Sequence, residues 1–148
     1  MRLNNALPFI NSVVALFNYT SLKYVLPCGA DDVANTRGNL VLGISDGSER
    51  FIPLGGVTEE NPFQGEVIYY DDGSANVMCR RWNWKNGDLT KILPESKNIV
   101  INVDCLPPIT PDIGNSARDE LAELLEQHCG AEVERSYLSN DRREINIF

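Results

Sequence analysis

The chain has 148 residues, 43% of them apolar and 23% charged, and carries a formal charge of −8. That length suits one domain with a hydrophobic core of its own, and the composition excludes disordered and fibrous classes. No run of about 18 apolar residues exists to cross a bilayer, and the net acidity argues against a generic nucleic-acid binder.

The apolar N-terminal stretch is interrupted by Asn4, Asn5, Pro8, Asn11 and Ser12 and lacks a small-residue cleavage site, so it reads as folded protein rather than a signal peptide. Cys28, Cys79, Cys105 and Cys129 lie far apart with no CxxC, and only His128 accompanies them. A zinc site has little support, and four buried free thiols in a cytoplasmic protein is the simplest expectation, although spacing does not exclude disulfides. No metal and no cofactor are expected.

Charge is unevenly spread. Residues 31–78 carry nine acids and two bases, whereas 80–97 hold Arg80, Arg81, Lys85, Lys91 and Lys97 against Asp88 and Glu95. From Asn98 on, ten acids face four bases. A local cationic patch on an acidic body can still guide a phosphate-bearing ligand.

In chain order, Leu3, Ala6, Leu7, Ile10, Val13, Val14 and Phe17 keep helical spacing, with Pro8 in the first turn. Ser21 to Val25 continues as a helical turn that Pro27 stops, and 27–32 is a loop. Leu40 to Ile44 predicts a strand, with Arg50 to Pro53 as its hairpin partner across Asp46-Gly47. Glu66 to Tyr70 and Ala75 to Cys79 form a second hairpin across Asp72-Gly73. Leu89 to Leu93 is short and extended, and Asn98 to Val103 is a strand. Ser116 and Asp119 have capping-box spacing before a helix with Leu121, Leu124, Leu125 and His128 on one face, ended by Gly130. Ala131 to Tyr137 alternates like a half-exposed strand, and 144–148 is a small strand or packed tail. The order predicts one α+β domain over 1–148, with a mainly antiparallel central sheet and packed helices.

No nucleophile elbow, phosphate loop, HExxH or Rossmann glycine series occurs. His128 reads as a packed histidine near a helix end. A hydrolase built from this chain would use positioned donors and a bound water rather than a covalent triad. Glu66 opens an apolar strand and points across the hairpin toward Arg80 or Arg81, as a structural ion pair or as a polar wall of a pocket. Met78 to Lys85 concentrates both tryptophans with Arg80, Arg81 and Asn83. If the strand continues, Arg80 and Arg81 face opposite sides, one of them sharing a side with Asn83, while Trp82 and Trp84 anchor the core and base stacking is the lesser reading.

Several segments together carry a resemblance: residues 21–29 (SLKYVLPCG) with Asp31-Asp32, 50–55 (RFIPLG), 65–69 (GEVIY), and above all 79–84 (CRRWNW), followed by Thr90 and by the strand ending at Pro107-Pro108. The chain resembles the B3/B4 domain family, the tRNA-binding and editing domain of the phenylalanyl-tRNA synthetase β subunit, and its freestanding homologues. The resemblance implies an α+β module that hydrolyses the ester of mischarged aminoacyl-tRNA, in trans where it is freestanding. It implies the tRNA acceptor end as partner, with a site between the first helix and the central strands. Asn83 and Asn11 are then the expected catalytic amides, and Glu66, Arg80, Arg81, Asn18, Thr90 and Lys85 the expected substrate-binding residues. The sequence starts almost on the first helix, where freestanding relatives have a preceding segment, so an N-terminal part of the module is expected to be missing. A noncatalytic RNA-binding module and an interaction domain with a vestigial pocket stay open beside the deacylase.

Overall fold

The computed structural model describes residues 7–147. The elements are α1 (Ser12–Tyr24), β1 (Cys28–Asp32), β2 (Leu40–Ile44), β3 (Val67–Asp71), β4 (Asn76–Arg80), β5 (Lys85–Asn86), β6 (Ile99–Val103) and α2 (Pro111–Cys129). β2, β3, β4 and β5 form a four-stranded sheet in that order with antiparallel neighbours, and β1 pairs with β6 in a separate two-stranded sheet. The α+β class is as expected. The chain divides into two compact units, one made by the chain ends up to Cys28 and from Val103, the other by Gly29–Asn102.

In the first unit the helices α1 and α2 pack together. α1 starts later than Pro8: the Asn11 side chain accepts from the Val14 N–H at 2.9 Å and caps the N-terminus. Leu3 and Ala6 of the expected stripe lie outside the described residues. The helix ends at Val25, whose left-handed backbone (φ 54°) lets Leu26 N–H return to the Ser21 carbonyl. Lys23 and Tyr24 both bind Glu120 of α2, at 2.7 and 2.6 Å. α2 begins before the expected capping box. Pro111 takes a first-turn position, where its missing N–H costs nothing. Ser116 instead donates to the Asp112 carbonyl within the helix. Ala117, Leu121, Ala122 and Leu125 are buried, and Gly130 closes the helix in the left-handed region as predicted. His128 and Cys129 are exposed, so the packed histidine and the fourth buried thiol are not observed; Cys79 is the buried thiol, and all four cysteines are free. Residues 131–137 and 144–147 form no strand, because alternation without a neighbouring strand supplies no ladder.

In the second unit, β3 and β4 are the predicted hairpin. β2, however, pairs with β3 rather than with Arg50 to Pro53, Leu42 lying opposite Tyr69. The Ser45 hydroxyl and the Gly47 N–H bind Glu49, turning the chain out of the sheet, and Pro53 has no donor for a ladder. Residues 50–53 then make single bridges, Arg50 to Asn76, Phe51 to Glu60 and Pro53 to Gly87. This crossing seats Phe51, fully buried, on Ile68 and Val77. The expected loop at 28–32 is strand β1, and residues 89–93 form no strand.

A bulge governs the sheet. Tyr69 opposes Cys79 but Tyr70 opposes Val77, leaving Met78 as the extra residue on β4. Val77 therefore joins Phe51 and Ile68, while Met78 and Cys79 both pack with Tyr69, Leu40 and Trp82.

Candidate functional site

Arg80, the last residue of β4, is almost fully buried, and its guanidinium spans two carboxylates. Nε and one terminal nitrogen donate to Glu66 at 2.9 and 2.8 Å, and the other terminal nitrogen donates to Glu60 at 2.9 Å. The Phe51 and Phe63 rings each lie 5.5 Å from the guanidinium carbon. Burial of an Arg is tolerable only with this degree of pairing. Lys85 reaches the same Glu60 at 2.8 Å. Glu66 also accepts the N–H groups of Phe63 and Arg81, both at 3.0 Å. The Arg80 guanidinium, against the cost of burial, holds the Glu66 carboxyl at about 2.

This knot supports the β4–β5 hairpin tip. Arg81 and Trp82, which open the connection from Arg80 to Lys85, both have left-handed backbones (φ 51° and 66°) of the kind that glycine or asparagine usually supplies. The cost is offset locally. Trp82 N–H donates to the Val67 carbonyl at 2.7 Å, Arg81 N–H is held by Glu66, and Trp82 packs on the Tyr69–Cys79 cluster. The expected strand alternation stops at Arg80, so the two tryptophans part company. Trp82 is half-buried, whereas Trp84 is 71% exposed, with the Arg81 guanidinium 4.9 Å from its ring centre. The expectation that Trp84 anchors the core is corrected on this point. Asn83 sits half-buried between them.

Of the predicted site residues, the structure joins Glu66, Arg80, Arg81 and Lys85. Thr90 belongs to a different cluster: its hydroxyl donates to Asp31 at 2.5 Å, and it lines a cavity of about 170 Å³ with Asn35, Thr36, Asp71, Asn76 and Leu89. Burial raises the Asp31 carboxyl above its ordinary value, against the pull of the Thr90 hydroxyl. Asn11 and Asn18 lie in the other compact unit, Asn11 as a helix cap and Asn18 half-buried within α1. Glu60, Phe51 and Phe63 are the members that sequence reasoning missed; the only signal was the acid-rich stretch preceding the basic one. The same acids neutralise most of the predicted cationic patch. Arg80, Lys85 and Lys91 are ion-paired, while Arg81 and Lys97 have no carboxylate partner among the described residues. Also among the described residues, no group of three or more His, Cys, Asp or Glu is placed to hold a metal, and no helix is long and apolar enough to cross a membrane.

The B3/4 domain family matches the chain over residues 1–130, a span that includes every helix and strand from α1 to α2. The chain belongs to that family. Its fold is similar to the crystal structure of an N-terminal fragment of the phenylalanyl-tRNA synthetase β subunit from Pyrococcus horikoshii, with a TM-score of 0.63 at 15% identity. That likeness covers 79% of this chain and 40% of the synthetase fragment, so this B3/4 domain corresponds to less than half of that solved chain. No curated protein matches it by sequence. Within the B3/4 domain, the CRRWNW segment (79–84) that carried the resemblance is the end of β4 and the hairpin tip, and its second arginine and second tryptophan are the exposed, stacked pair.

Proposed function

We propose that this B3/4 domain binds the acceptor end of tRNA and hydrolyses the ester of mischarged aminoacyl-tRNA in trans. The observation that carries the reading is membership of the B3/4 domain family over residues 1–130, with a fold like that of a phenylalanyl-tRNA synthetase β fragment. The chemistry needs a water to add to the ester carbonyl carbon, release of the terminal ribose oxygen with a proton, and donors for the developing oxyanion. Asn83 is the amide we assign to that carbonyl, because it lies half-buried on the tip that also carries Arg81. Cys28 and Cys105 are disfavoured as nucleophiles, since burial pushes the Cys28 thiol up to about 11 and raises Cys105 as well.

One observation favours a second reading, a noncatalytic binding module: Glu66, Arg80 and Thr90 are each engaged in internal bonds rather than presented to a ligand. Release of amino acid from mischarged tRNA, measured beside tRNA binding, separates the two. The deacylase predicts turnover that Asn83→Ala lowers more than it lowers the melting temperature. Salt-dependent binding without any hydrolysis would select the binding module.

A further inference from the structure

Trp84 presents 71% of its surface to solvent, and three features of the hairpin tip bear on what that surface takes. Arg81 occupies one side of the Trp84 ring at 4.9 Å. Its guanidinium has no carboxylate partner among the described residues, although Arg80, Lys85 and Lys91 nearby in sequence are all paired. The tip is also pre-formed: the left-handed Arg81 and Trp82 are held by Glu66, by the Val67 carbonyl and by the packing of Trp82, so ordering it on binding costs little.

We propose that this tip is a stacking site for an unpaired nucleobase, with the open face of the Trp84 indole taking the base and the Arg81 guanidinium taking the adjacent phosphate. The proposal rests on the reading above that the ligand is an RNA end, and it assigns the exposed pair to a contact separate from ester hydrolysis. A flat indole accepts any base face, and a cation on its other side supplies charge that a carboxylate would otherwise have cancelled. The site therefore recognises a single-stranded end without reading its sequence.

The probe is a stem-loop RNA with an unpaired 3′ overhang, compared with the same RNA whose overhang carries abasic riboses. Tryptophan emission is expected to be quenched by the base-bearing RNA alone. The quenching should vanish in Trp84→Ala although Trp82 remains, and affinity should fall about tenfold. Trp84→Phe should restore part of the affinity, while Arg81→Ala should lower the slope of log affinity against log salt by about one. Equal binding of the abasic RNA, or parental affinity in Trp84→Ala, would overturn the proposal. Deacylation is measured in parallel so that the two readings fail separately. Base-dependent quenching by a protein that hydrolyses no mischarged tRNA supports the stacking site while removing the deacylase. Hydrolysis with base-independent binding does the reverse.

Discussion

Glu66 holds the tip together, and its protonation should be visible in stability. Its carboxyl lies at about 2 in the folded protein against an ordinary 4.5, chiefly through the Arg80 guanidinium. A depressed carboxyl stabilises the fold above the unfolded value and loses that contribution as pH falls from about 4.5 toward 2. Thermal melts across that window are expected to decline, and Glu66→Gln should flatten that part of the profile. At neutral pH the same substitution leaves Arg80 buried with Glu60 as its remaining carboxylate, so a loss of about 3 kcal/mol is expected, the low end for breaking a buried ion pair. Asp31 has the opposite sign. Burial raises its carboxyl above the ordinary 3.8, so its contribution is present at low pH and lost as pH rises through the raised value. Asp31→Asn is expected to raise the melting temperature at neutral pH and to match the parent in acid. That Glu66 would face Arg80 or Arg81 was legible, since one hairpin separates them, and the structure selects Arg80. Glu60 was not, because it arrives by a crossing with neither helical nor strand periodicity.

The β4–β5 tip shows what element-level reading misses. Alternation places Trp82 and Trp84 on one side only if the strand continues, and two left-handed residues end it at Arg80. Trp82→Ala should therefore destabilise clearly, though by less than the roughly 3–5 kcal/mol of a fully buried aromatic. Trp84→Ala should stay within about 0.5 kcal/mol, as for other exposed positions. Denaturant midpoints of the two variants check the split. The second expected hairpin, β6 and the C-terminal stop of α2 followed from β-branched runs and a well-placed glycine. β1 escaped notice because Gly29 and Asp31-Asp32 are poor strand formers, and β2 was given its sequence neighbour instead of β3. The β3–β4 connection depends on close backbone approach: a Cβ on Gly73 would lie 2.6 Å from the Arg37 carbonyl carbon. Gly73→Ala is expected to cost about 2 kcal/mol or more, read from the same midpoints.

At the scale of the whole molecule, acidity and the basic stretch were both legible, but not their mutual cancellation. Glu60, Glu66 and Asp88 neutralise Arg80, Lys85 and Lys91, which leaves fewer cations for the proposed tRNA contact than the sequence promised. Binding should accordingly show a shallow salt dependence, because each phosphate contact contributes its own increment to the slope. The family was legible from the order of several segments, above all CRRWNW (79–84), whereas the chemistry was not, because no periodicity shows whether Asn83 meets an ester. The direct measurement is amino-acid release from a panel of mischarged tRNAs under multiple-turnover conditions. The deacylase predicts turnover above the spontaneous rate for at least one member, which Asn83→Ala lowers more than it lowers the melting temperature. Spontaneous rates for every member, with the folded protein in hand, would contradict it.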